Sequence, residues 1–96
     1  HLPFANFAKK SDGTFRVEID MPGVKKEDIN ITVDDNILSV SGVRKYKNEV
    51  KEGDYYLQEC SYGKIERKFR LPDGVDRDKI SAELHDGQLL IELEKE

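Results

Sequence analysis

Apolar side chains recur in this chain at every second residue, in short runs broken by turn residues. That period constrains the fold more than any other feature. Phe15, Val17, Ile19 and Met21 alternate with Arg16, Glu18 and Asp20. Such an alternation puts one set of side chains on each face of an extended strand. Pro22-Gly23 then supplies a turn, and Lys25-Lys26-Glu27-Asp28 forms a polar connector with room for one helical turn. Ile29, Ile31 and Val33 resume the alternation, Asp35-Asn36 turns the chain, and Leu38 and Val40 carry it back to Gly42, a hairpin pattern. Tyr55 to Cys60 reads as extended. Ile65, Phe69 and Leu71 define a strand closed by Pro72-Asp73-Gly74, and Ile80, Ala82 and Leu84 define another that turns at His85-Asp86-Gly87. Leu89, Ile91 and Leu93 mark the last one, opposite Glu92 and Glu94. No window of about eleven residues holds apolar side chains at helical spacing. Short strands separated by turns predict an all-β, immunoglobulin-like sandwich of seven to eight antiparallel strands.

The 96 residues form one domain, and at 36% hydrophobic against 38% charged its apolar supply is thin. A net charge of -4, with both signs spread along the chain, lacks the basic footprint that nucleic-acid binding requires. A single cysteine, Cys60, excludes an internal disulfide and cannot begin a cysteine-based zinc site. No apolar run approaches the ~20 residues of a membrane-spanning helix. Residues 43 to 54 interrupt the regularity with charged and polar residues and no period, and a loop of such length is commonly functional.

Catalysis fails on inventory. His1 and His85 are the only histidines, and none of the five serines sits in a Gly-x-Ser-x-Gly turn that would present its oxygen to a base. His85 and Asp34-Asp35 are better explained as turn residues than as a catalytic pair or a calcium loop. No cofactor and no metal site are expected. Cys60 reads as an unreactive strand thiol rather than a redox switch. Tyr46, Tyr55, Tyr56 and Tyr62 cluster in and after the long loop, which suits an interface, although tyrosine also favours strands. Arg67 shares the parity of Ile65, Phe69 and Leu71, so its guanidinium points toward the apolar face. A desolvated guanidinium needs a partner. A partly buried ion pair at a subunit contact is expected, against a bulge or a stem that snorkels to water.

Four segments resemble the α-crystallin domain of small heat shock proteins of the bacterial, archaeal and plant type. Ala82-Glu83-Leu84-His85-Asp86-Gly87-Gln88-Leu89 is similar to that family's A-x-x-x-n-G-V-L signature, with Gln88 in place of the usual apolar residue. Gly63 to Pro72 resembles its G-x-F-x-R-x-F-x-L-P strand, Met21 to Ile29 its L-P-G-x-K-K-E-D-I segment, and Asn36 to Gly42 its g-x-L-x-I-x-G strand. The segments occur in family order from residue 21 to residue 89.

The resemblance implies a cytoplasmic, stress-response chaperone that acts as an ATP-independent holdase, keeping partly unfolded clients soluble for ATP-driven chaperones. It also implies a homodimer in which Tyr55, Tyr56, Leu57, Gln58 and Glu59 of the long loop form a strand swapped onto the partner's first strand, Leu2 to Ala8. Phe4, Asn6, Tyr46 and Arg67 complete that interface. A second implied contact is a groove lined by Ile29, Ile31, Val33, Ile80, Ala82 and Leu84, which takes Ile-x-Ile-type tail peptides or clients and builds larger oligomers in the full-length protein. The alternative role for those six is ordinary sandwich core. The whole span 1–96 is expected to be the α-crystallin domain, with N-terminal arm and C-terminal tail absent. Cys60 stands where many relatives carry an arginine. The alternative is a monomeric CS-like β-sandwich interaction or co-chaperone module; an enzyme comes third.

Overall fold

Strands form where the alternation falls. The computed structural model describes residues 3–45, 50–60 and 62–96. Among them the chain runs β1 (Ala5–Lys9), β2 (Phe15–Asp20), a 3-10 turn (Lys26–Asp28), β3 (Ile29–Asp34), β4 (Ile37–Arg44), a second 3-10 turn (Glu52–Asp54), β5 (Gly63–Arg70), β6 (Val75–His85) and β7 (Gln88–Lys95). All pairings are antiparallel and make two sheets, of order β1-β2-β7-β6 and β3-β4-β5. The expected all-β sandwich is thus the observed fold, with seven strands among the described residues.

Between the sheets lies one core. Val17, Ile19, Leu38, Ile91 and Leu93 have no exposed surface, and Met21, Val40 and Leu89 nearly none. Apart from Met21, which directly follows β2, they are the inward parity of β2, β4 and β7, the strands flanked on both sides within their sheets. Burial of each such side chain contributes about 1.5–3 kcal/mol, which is why period two dictates the register. No polar side chain is buried among the described residues.

Turn chemistry explains the two hairpins around the future site. Asp35 and Asn36 take φ of 48° and 64°, and Asp86 and Gly87 take 50° and 80°. Two successive positive φ values are what a tight two-residue hairpin of the right twist needs, and Asn, Asp and Gly tolerate them best. The backbone N–H of Leu71 donates to the carbonyl of Asn36 at 2.8 Å, tying the end of β5 to the first hairpin.

Three expectations shift. Val43 and Arg44 belong to β4, so the irregular segment begins at Lys45 and not at residue 43. β6 begins at Val75, with a bulge between Val75 and Ile80 that hides its early alternation. Tyr55 to Cys60 is not a strand in the single chain: it is exposed and follows a 3-10 turn. An extended segment becomes a strand only when it joins a sheet edge, and among the described residues this segment belongs to neither sheet.

Candidate functional site: the strand edges and the groove between them

The sheet orders leave β1, β3, β5 and β6 each with one strand neighbour among the described residues. An unpaired edge presents backbone N–H and C=O groups to any extended chain that approaches.

Between the edges of β3 and β6 lies an open groove of about 150 Å³, lined by Lys26, Ile29, Ile31, Ala82, Glu83, Leu84 and Leu89. Four of the six expected groove residues therefore meet there: Ile29, Ile31, Ala82 and Leu84. Ile80 instead lines a neighbouring recess of about 230 Å³ with Asp78, Lys79, Ser81, Glu92 and Glu94. Val33 lines neither of these. Ile29, Ile31, Val33, Ile80 and Leu84 are half-buried and pack against the core, while Ala82 is exposed. Core and groove are thus two uses of the same side chains. Lys26 and Glu83 are lining residues that alternation alone does not single out, and Leu89, read as part of the last strand's apolar face, lines the groove as well. Lys26 sits in the polar connector, and Glu83 belongs to a strand whose neighbours Ala82 and Leu84 carried the pattern.

The opposite side of the sandwich joins β1 to β5. Arg67 does point inward, as its parity requires, and is half-buried, but within the chain its partner is not a carboxylate. Its Nη1 donates to the backbone carbonyl of Pro3 at 2.6 Å, and its guanidinium carbon lies 5.4 Å from the Phe69 ring centre. No ion pair to Arg67 occurs among the described residues of the single chain, so the ion pair expected at a subunit contact remains a proposal. Phe7 of β1 meets Phe15 and Phe69 edge-on, with centroids 6.3 and 5.8 Å apart. This aromatic bridge was not legible, because β1 carries no apolar alternation of its own.

The remaining interface candidates are placed as follows. Phe4 is 83% exposed and Leu57 73% exposed, Tyr56 is fully exposed, and Tyr55, Gln58 and Glu59 are also exposed. Asn6 donates from its side chain to Glu18 at 3.3 Å on the outer face of β1 and β2. Tyr46 and Leu2 lie outside the described residues. Cys60 is a free, exposed thiol. At the base of the long segment, the Arg44 guanidinium lies 5.2 Å from the Tyr62 ring centre, and Lys45 pairs with Asp28 at 3.2 Å.

Among the described residues no three His, Cys, Asp or Glu side chains gather as metal ligands would, and no helix is long and apolar enough to cross a membrane.

Fold and site together define a class: an antiparallel two-sheet sandwich whose apolar groove lies between the free edges of its two layers. Residues 7–96 match the Hsp20/alpha crystallin family, and the chain belongs to that family. It is 47% identical over 79 residues to the 17.6 kDa class II heat shock protein of Arabidopsis thaliana, covering 80% of this chain and 51% of that protein. It is 45% identical over 89 residues to the 17.9 kDa class II heat shock protein of Glycine max, covering 91% of this chain and 55% of the other. Among solved structures, hspA of Xanthomonas axonopodis superposes with a TM-score of 0.87 at 30% identity, over 99% of this chain and 94% of that one. Heat shock protein 16.0 of Schizosaccharomyces pombe gives 0.88 at 31% identity, over 99% and 67%. The chain spans about half the length of the curated relatives it matches. Small heat shock proteins are ATP-independent chaperones and not enzymes, so family membership supports a chaperone role and bears out the expectation that this chain is not an enzyme.

Proposed function

We propose that this domain acts as an ATP-independent holdase, a homodimer that binds partly unfolded clients and Ile-x-Ile-type tail peptides and so limits their aggregation. The observation that carries the reading is the groove between β3 and β6: half-buried Ile29, Ile31 and Leu84 beside exposed Ala82, flanked by two backbone edges that are unpaired among the described residues. Such a site captures an extended peptide by backbone pairing, with pockets for alternate side chains. On the other side of the sandwich, Tyr55 to Glu59 of one copy would pair with β1 of the second, next to Phe4, Asn6 and Arg67. In the full-length protein, tail capture by the groove would link dimers into larger oligomers. A cytoplasmic setting and handover of clients to ATP-driven chaperones belong to the same proposal.

Two measurements test it together. Sedimentation at micromolar concentration is expected to give the mass of a dimer. Light scattering of a heat-labile client is expected to fall when the domain is added, equally with and without ATP. A monomer at every concentration would overturn the swapped dimer and favour a monomeric β-sandwich interaction module. Unchanged client scattering at stoichiometric excess would overturn the holdase activity of this domain.

A further inference from the structure

We infer that the bulge in β6 is a stop: it limits any strand added to the β6 edge to the stretch facing Ile80 to His85. The inference rests on the peptide-groove reading above and gives the occupant a length. The edge takes a short extended segment, and not a long client strand or the edge of a second copy.

β6 and β7 keep step only in part. From Ile80 to His85 every residue has one partner on β7, running from Leu93 to Gln88. Val75 pairs with Lys95, so one residue of β7, Glu94, lies opposite four of β6, Asp76 to Lys79. The extra residues of a bulge drop out of the ladder, and the strand that carries them bends and twists. This bend is held from within the chain. The backbone N–H of Asp78 donates to the Asp76 side chain at 3.0 Å. The Arg77 guanidinium donates to the side chain of Asn36, in the turn between β3 and β4 of the other sheet. Past Ile80, an added strand therefore meets a bent backbone that has left the ladder and already uses the N–H of Asp78.

Every second residue of an antiparallel edge turns its N–H and C=O outward, so half of Ile80 to His85 is open to a neighbour. That stretch covers about 20 Å at ~3.3 Å per residue. The facing wall is equally short. β3 has 6 residues, Ile29–Asp34, between the 3-10 turn and the positive-φ turn at Asp35 and Asn36. A long, regular free edge would template the pairing of further chains, and a bulge is one way to close it.

The test is a series of end-blocked peptides of four, six, eight and ten residues, each containing Ile-Gln-Ile with Thr and Ser flanks. Affinity is expected to rise about threefold or more from four residues to six, then to stay within about twofold up to ten. Amide exchange should slow within Ile80 to His85 and not at Asp76 to Lys79. Deleting Arg77, Asp78 and Lys79 leaves Asp76 alone opposite Glu94 and keeps Val75 and Ile80 on one face. The plateau should then move from six residues to eight. Affinity that keeps rising beyond six residues in the unaltered chain, with slowed exchange at Asp76 to Lys79, would overturn the stop without any variant having to fold. So would a folded deletion variant whose plateau stays at six. Slowed exchange along Ile29–Asp34 in place of Ile80 to His85 would assign the pairing to β3, overturning the stop but leaving the groove reading intact. Unchanged amides at Ile29, Ile31, Ala82 and Leu84 with every peptide would overturn the groove reading and the stop with it.

Discussion

Gly42 shows what a single residue can hide. By pattern it closes a hairpin strand, yet it lies inside β4, paired with Ile29. A Cβ built there would meet Met21 Cε at 2.7 Å and Val24 Cγ1 at 3.0 Å. Met21 and Val24 are both buried, so neither can swing aside into water. Gly42→Ala is therefore expected to lose about 1–3 kcal/mol by overpacking, read as a lower denaturant midpoint with an unchanged slope. An unchanged midpoint would mean that Met21 relocates freely. Arg67 is the converse case, where strand parity sets the direction of the side chain but not its partner. The partner is a carbonyl from the N-terminal segment, and nothing in the spacing of Ile65, Phe69 and Leu71 could announce it. Arg67→Ala removes a charged hydrogen bond to Pro3 and a cation over Phe69, with an expected loss of about 1–3 kcal/mol. Arg67→Lys keeps the charge but not the planar fork, so it should recover only part. If neither the midpoint nor the solution mass moved in Arg67→Ala, the residue would have no part in holding β1 or a second chain.

Elements were legible in proportion to how much of their own face they bury. β2, β4 and β7 alternate cleanly because one side of each is core, and their register follows from sequence alone. β6 is mostly exposed and bulged, so only its Ile80-Ala82-Leu84 stretch could be read. β1 is exposed along almost its whole length and is held by neighbours rather than by a pattern. One of those holds is the turn into β2. Thr14 donates from its hydroxyl to Asp12 at 2.6 Å and from its backbone N–H at 2.9 Å. The hydroxyl contact chiefly, then the backbone contact, holds the Asp12 carboxyl below its ordinary range, with Lys10 and Lys95 adding to it. A carboxyl with a folded pKa lowered in this way stabilises the turn above its unfolded pKa, and that contribution is lost as pH falls through the folded value. Asp12 should accordingly titrate below the ordinary value of an aspartate in a carbon-detected NMR titration. Thr14→Val should move it back up by removing the larger of the two donors. An Asp12 that titrates at the ordinary value of an aspartate would show that the turn is open in solution.

At the scale of the molecule, the dimensions are the informative feature. The radius of gyration is 15.6 Å and the principal extents are 52 × 25 × 19 Å, against roughly 13 Å expected for a compact chain of this length. Lys51 to Cys60 is exposed throughout, so part of the chain leaves the sandwich without burying itself. The thin apolar supply is thereby divided. Among the described residues fourteen make the core, while Phe4, Tyr56 and Leu57 stand outside it. Exposed side chains of that size on both the projecting segment and the N-terminal edge are what a partner copy would cover in the proposed swapped dimer. Coupling of folding to association has a thermodynamic signature that does not depend on seeing the dimer. If a second chain buries these residues, the melting temperature must rise with protein concentration, because the partner binds the folded state and not the unfolded one. Tyr56→Ser with Leu57→Ser should flatten that dependence and leave the melting temperature at high dilution unchanged, since neither residue touches the core. A wild-type melting temperature independent of concentration over a hundredfold range of dilution, together with a monomeric mass, would mean that the exposed segment is completed by something other than a second copy. Concentration dependence that survives in the double variant would place the contact elsewhere, with the free edge of β5 the next surface to examine.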